Sequence, residues 1–352
     1  IGAHLVATSA RTIALAGLIW IVLAAPAAAQ TVEDFYRGRT VSLLVSFGPG
    51  GLNDIAGRLV AQHLRRFIPG QPNIIVQNMP GAGGLAAANH LYNVAAKDGS
   101  VLGQLDRSVA QSGFRGAKNA RFDPIKFTWL GSLSDYSNEA YLLWVSASHP
   151  ARSVADLATP GLKTRLGVVT GGTNMMMSLV ARDVLNLNVQ VVRGYPAVSA
   201  IWLALQRGEV DGQIIGLTSV LAEHPEFWTQ QLMRPLVQFG RSTRLDTFKD
   251  VPTARELAPN PAARAAVEFA ELPFTTSLPF VAPPDLPADR AAALRTAFAA
   301  MVRDPEFIEG ARKHQVEFSP IGADGIMVAL QRAAATPVSV IERLNAIVDS
   351  GR

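Results

Sequence analysis

The chain has 352 residues, room for two or three domains of roughly 100–200 residues each, and with 49% hydrophobic and 17% charged residues it is neither disordered nor fibrous. A formal net charge of +4, with no basic block longer than Arg65-Arg66, argues against nucleic acid as a partner. The absence of Cys excludes a catalytic thiol, a thiolate zinc site, an iron–sulfur cluster and every disulfide.

The first 29 residues read as an export leader: His4 and Arg11, an apolar run over 13–25, then Ala27-Ala28-Ala29 before Gln30. This is the small-residue pattern of a signal peptidase site, and it predicts cleavage after Ala29 and a periplasmic location. The apolar run is too short to span hydrocarbon, which needs roughly 20 residues.

Residues 39–47 (RTVSLLVSF) are β-branched and apolar, a buried strand that ends at Gly48-Pro49-Gly50-Gly51. In 54–67 the apolar residues Ile55, Leu59, Val60, Leu64 and Phe67 recur at helical spacing, with Asn53 or Asp54 as N-cap and Pro69-Gly70 as the stop. The unit repeats as strand 73–77, the loop Pro80-Gly81-Ala82-Gly83-Gly84, helix 85–94, the turn Asp98-Gly99 and strand 101–105. A second series follows 127–133, with strands 141–145 and 165–169, the loop Thr170-Gly171-Gly172-Thr173, helix 174–185, strand 189–192, helix 197–206 and strand 212–217. Pro252, Pro259 and Pro261 then interrupt the pattern as an inter-lobe passage would. Strand 276–281 and three helical stretches starting near Pro287, Asp304 and Ala323 close the chain.

The expectation is an α/β protein of two lobes, residues 30–134 plus 276–352 and residues 135–275, crossed twice by the chain. In open α/β sheets a ligand sits outside the carboxyl ends of the strands, where all three glycine loops lie. Each loop leads into a helix and offers uncommitted backbone N–H groups beside the positive end of the helix dipole, a receptor for carboxylate or phosphate. Arg107, just past strand 101–105, is placed to form a bidentate fork with a ligand carboxylate, although a solvated surface Arg is the competing reading. Met175-Met176-Met177 reads equally as core packing and as an adaptable pocket wall.

Enzyme signals are few. Gly81-Ala82-Gly83 with Ala86 fits a dinucleotide fingerprint only loosely, since the acidic partner it calls for has just the turn former Asp98 near it. No P-loop and no nucleophile elbow occur, and six scattered histidines give no metal or triad spacing. No cofactor and no metal are expected.

Phe47-Gly48-Pro49-Gly50-Gly51 with Asn53-Asp54 and Arg58, then Asn78 with Pro80–Gly84, then Asp98-Gly99, together resemble the Bug/TctC family, the extracytoplasmic solute receptors of tripartite tricarboxylate transporters. The likeness continues through Phe122-Asp123-Pro124, Gly171–Thr173, Tyr195, Gly208–Asp211 and Ala282-Pro283. It implies a type II periplasmic binding protein fold with a ligand cleft between the lobes, a small organic carboxylate as ligand, a membrane permease as partner, and a monomer that does no chemistry. It further implies that three loops hold the carboxylate: Phe47, Gly48, Pro49, Gly50, Gly51, Asn53 and Asp54; Pro80, Gly81, Ala82, Gly83 and Gly84; Thr170, Gly171, Gly172, Thr173 and Asn174. Met176 stands where the family commonly has a histidine, which leaves room for a more apolar or aromatic carboxylate. Tyr195 matches a family tyrosine near the cleft. Asp211 matches a family aspartate, or else only fixes the turn at Gly208–Gly212. The alternatives are a sensory input to a histidine kinase and a periplasmic hydrolase with Asp54 or Asp106 as base.

Overall fold

The computed structural model describes residues 30–170 and 172–350; the leader reading and Gly171 lie outside the described residues. Eleven strands are described: β1 Thr40–Val45, β2 Asn73–Asn78, β3 Val101–Gln104, β4 Thr128–Ser132, β5 Tyr141–Ser146, β6 Thr164–Val169, β7 Val189–Tyr195, β8 Gly212–Gly216, β9 Met233–Phe239, β10 Pro279–Ala282 and β11 Ile321–Gly322. They form two sheets, in the orders β11-β4-β10-β3-β1-β2 and β7-β6-β8-β5-β9. This is the two-lobed type II arrangement. The chain passes to the second sheet over residues 133–140 and returns before β10.

β1 is parallel to both β2 and β3, and helices cover both its faces. Leu44 packs into a core cluster that continues into the second lobe, while Leu43 and Val45 pack with Leu59, Leu64, Phe280 and Phe298 on the other side. Alternation does the same in β5, where Leu143 and Val145 join the shared core and Leu142 and Trp144 join Trp202 and Phe248 on the far face.

Three features depart from the sequence-based expectation. β5 and β10 run antiparallel to their neighbours, because each enters its sheet from a crossing rather than from a crossover helix. β9 is absent from that expectation; it is an edge strand that carries Pro235 where its register shifts at Leu143/Trp144, and there a missing N–H is tolerated. The proline-rich stretch, expected to interrupt the pattern, carries two helices of its own. Thr253 forms a capping box for Ala254–Leu257, and Pro261 opens Pro261–Ala270 at the first helical position under an Asn260 cap.

Two helix boundaries also differ. The first long helix is Leu52–Leu64 with Gly51 as N-cap, so neither Asn53 nor Asp54 caps it; Asp54 sits in the first turn and reaches back to Gly50. After Ala288–Met301, Pro305–Lys313 and Ala323–Ala334, a fourth C-terminal helix, Val338–Ser350, packs on Pro261–Ala270 and Thr173–Asp183 of the second lobe. Among the described residues no helix is long and apolar enough to cross a membrane.

Candidate ligand-binding site

Strand ends deliver the first wall. Just past β1 and β3 the chain presents Phe47, Asn53, Asp106 and Arg107 to a cavity of about 380 Å³. The opposite wall is Tyr136 and Glu139 from the first crossing, with Thr218 and Ser219 at the start of the helix Leu217–Glu223; Leu52, Ser277, Leu278, Gln315 and Glu317 complete the lining. The cavity therefore lies between the lobes and outside the carboxyl ends of β1, β3 and β8.

Arg107 joins the two sides. Its Nη2 donates to Thr173 Oγ1 at 2.7 Å, and its guanidinium lies 5.5 Å from the centroid of Phe274, which packs with Tyr136 and Tyr141. Tyr136 is held at φ 64°, a left-handed conformation unusual for a bulky residue; its N–H donates to Ser134 and its carbonyl accepts from Arg241.

The three glycine loops do not converge on one wall. In the first, Asp54 is a brace rather than a ligand group: its carboxylate accepts from Gly50 N at 2.9 Å, Asn78 Nδ2 at 2.8 Å and Arg58 Nε at 2.8 Å. The Arg58 bond, despite burial, holds the Asp54 pKa at about 2. Gly48, Pro49, Gly50 and Gly51 are exposed, and Phe47, Leu52 and Asn53 are the members of this loop that reach the cavity.

In the second loop, Pro80, Gly81, Ala82 and Gly83 are exposed and do not line the cavity. Gly84 is buried at φ 86°, and a Cβ there would lie 2.7 Å from Asp106 Cβ. This loop acts on the site through Asp106-Arg107. Gly84→Ala is expected to cost about 2–4 kcal/mol from left-handed strain plus overpacking, and to lower ligand affinity by displacing Arg107. Urea unfolding paired with titration checks this, and unchanged values in both would show that the contact has no consequence.

The third loop lines a second cavity of about 350 Å³ through Thr170, Gly172, Thr173 and Met176. Gly172 is the N-cap of Thr173–Asp183, and Asn174 Oδ1 accepts from the N–H groups of Val169 and Met175. Met175, Met176 and Met177 all line this cavity; Met175 and Met177 are buried and belong to the core as well, whereas Met176 is half-buried. The Arg107–Thr173 bond joins the linings of the two cavities.

Two expected residues are in neither lining. Tyr195 ends β7 opposite Val169 and packs against Ile201, beneath the helix Val198–Gln206. Asp211 precedes β8, about 16 Å from its carboxyl end at the usual strand rise. There its carboxylate accepts from Arg165 N at 2.7 Å and Nη2 at 2.7 Å, which fixes the start of β6 against β8.

Sequence reading missed Tyr136, Glu139, Thr218, Ser219, Ser277, Gln315 and Glu317. One signal was present: Gly216-Leu217-Thr218-Ser219 follows a strand and opens a helix, as the other glycine loops do. Glu139 occupies that helix end, accepting from Ala140 N, Leu217 N and Thr218 N, and from Thr218 Oγ1.

Burial pushes Glu139 up to about 7 against these donors, and it does the same to Glu271 against Arg255. Both carboxylates ordinarily titrate near 4.5. Between those values the native chain keeps protons that the unfolded chain releases, so their contribution to stability is lost as pH rises from about 4.5 through 7. Asp54, lowered to about 2, acts below this window. Urea midpoints at pH 5, 6, 7 and 8 are expected to fall more steeply in the native sequence than in Glu139→Gln. Identical slopes would contradict a protonated Glu139.

The model of the tripartite tricarboxylate transporter family receptor matches residues 56–346. A UPF0065 protein of Bordetella pertussis is 26% identical over 300 residues, covering 83% of this chain and 85% of the relative. A TctC solute binding protein from Polaromonas, 17% identical, superposes with a TM-score of 0.68 over 88% of this chain and 99% of its own. MatC from Rhodopseudomonas palustris, solved with bound malate, is 21% identical with a TM-score of 0.53, covering 88% of this chain and 99% of its own.

Proposed function

This chain belongs to the tripartite tricarboxylate transporter receptor family, a family of solute-binding receptors, and from that premise we propose that it captures a small organic carboxylate between its lobes. The observation that carries the proposal is Arg107, a cation in the wall of the inter-lobe cavity that is already hydrogen-bonded to the opposite lobe through Thr173. A ligand carboxylate at Arg107 gains charge-assisted hydrogen bonds, and contact with Thr218 and Ser219 would favour the closed arrangement of the lobes. Of the expected ligand loops we retain Phe47, Asn53, Thr170, Gly172, Thr173 and Met176 as contacts, and we assign Asp54 and Gly84 to supporting them. The malate in MatC is a ligand of the class proposed.

We propose that the ligand is released unchanged to a membrane permease, with the receptor working as a periplasmic monomer. Asp54 is unsuited to act as a base because its oxygens are committed to Gly50, Asn78 and Arg58. Thermal unfolding against a panel of aliphatic and aromatic carboxylates tests the reading. A ligand at about a thousand times its dissociation constant stabilises by roughly 4 kcal/mol. Stabilisation by neutral or phosphorylated solutes with silence across the carboxylates would refute it.

A further inference from the structure

We infer that the C-terminal helix Val338–Ser350 straps the two lobes together, so that Asn345, which lines neither cavity, sets how far the lobes open. The inference rests on the two-lobed fold and not on the chemistry of the ligand.

The short helix Val109–Phe114 follows β3 and faces the second lobe. Along it and its flanking turns, Arg107, Gln111 and Arg115 recur at a spacing of four, and each holds a different element across the seam. Arg107 Nη2 donates to Thr173 Oγ1, at the start of the helix Thr173–Asp183. Gln111 Nε2 donates to the carbonyls of Phe269 at 2.8 Å and Ala270 at 3.1 Å, at the end of the helix Pro261–Ala270, where carbonyls lack partners within their own helix. Arg115 Nε donates to Asn345 Oδ1 at 2.7 Å, and Asn345 Nδ2 returns a bond to the Arg115 carbonyl at 3.2 Å.

The partner in this last pair arrives by a further crossing of the chain. Ala323–Ala334 packs on β4 of the first lobe, and Ala335-Thr336-Pro337 then leads over to the second. There Val340, Leu344 and Ile347 are buried in the shared core, and Arg343 Nη2 donates to the Asp183 carbonyl at 2.8 Å. The helix is thus anchored on the second lobe by apolar burial, and it clasps the first through Asn345 and Arg115.

The three holds differ in what separation costs. Arg107–Thr173 borders both cavities, where water or a ligand can replace either partner. Gln111 is 5% exposed, so parting it from two helix carbonyls strands buried polar groups. Opening therefore begins at Arg107 and is resisted at Gln111 and at the Asn345 clasp. A smaller closed fraction lowers apparent affinity in proportion, whatever the ligand is. Asn345 is accordingly a positioning residue, acting on the cavity through the angle between the lobes.

The chain has no cysteine, so a pair of nitroxide labels can be placed on it cleanly. Val94→Cys on the first lobe and Leu203→Cys on the second are both exposed sites, and double electron–electron resonance between them reads the distance between lobes in ligand-free protein. Small-angle scattering of the unlabelled protein gives an independent radius of gyration. Asn345→Ala is expected to broaden the distance distribution, move its mean by about 2 Å or more and enlarge the radius of gyration. Asn345→Asp keeps an acceptor for Arg115 Nε and should retain the native values. Urea midpoints confirm that both variants fold. Native distances and radius in Asn345→Ala, even with a lowered urea midpoint, would leave the pair a merely structural contact and overturn the inference. Equal opening in both variants would also overturn it, because helix packing rather than the Arg115 clasp would then set the angle. The carboxylate reading is untouched by any of these results, since no ligand enters the measurement.

Discussion

Arg107→Ala is expected to weaken carboxylate binding between roughly tenfold and a hundredfold, while the fold survives. The loss corresponds to charge-assisted hydrogen bonds worth about 1.5–3 kcal/mol, at 1.4 kcal/mol for each factor of ten. Arg107 is half-buried, and the side-chain bond it would surrender is the one to Thr173, so stability should change little. Arg107→Lys keeps the charge without the planar fork and should fall between the native protein and the alanine variant. Calorimetric titration gives the affinities, and a melting curve checks the fold. Affinity within twofold of native in Arg107→Ala would remove Arg107 from the ligand contacts and with it the observation that carries the carboxylate reading.

The largest loss of stability is expected from Glu271→Ala, about 3–5 kcal/mol at pH 8, because it strands one partner of a buried ion pair. Glu271 is 1% exposed; its Oε2 accepts from Arg255 Nε at 2.6 Å and its Oε1 from Gly240 N at 2.8 Å. The carboxylate thus ties the exit of β9 to the end of the helix Pro261–Ala270. A Cβ on Gly240, at φ 78°, would lie 2.9 Å from the Phe274 ring, so the same joint positions the aromatic residue beside Arg107. Glu271→Gln keeps an acceptor for Gly240 and should cost less. Urea denaturation measures both, and a loss below about 1 kcal/mol in Glu271→Ala would show that Arg255 finds another partner or water.

The joint and the ligand wall share a property that explains why neither was legible in the linear chain. Glu271 meets Gly240 across 31 residues, Glu139 meets Thr218 across 79, and Ser134 meets Glu317 across 183. No local pattern marks an acid that will be buried by a partner so distant. Arg107, Phe47 and Asn53 were the exceptions, because positions just past apolar strands already placed them at carboxyl ends.

What the sequence determined by itself was whatever short-range physics controls. The apolar, β-branched run after Arg39 became β1, and periodic apolar spacing became the helix Leu52–Leu64. Glycines ending strands marked loops, and the combined motifs pointed to the receptor family. Tertiary structure alone decided which loop reaches the cavity. Phe47 and Asn53 do, whereas the Pro80–Gly84 loop stands behind Asp106-Arg107, and Asp211 lies at the wrong end of its strand. Strand direction and lobe packing set those distances, and neither is encoded within a few residues of the side chain concerned.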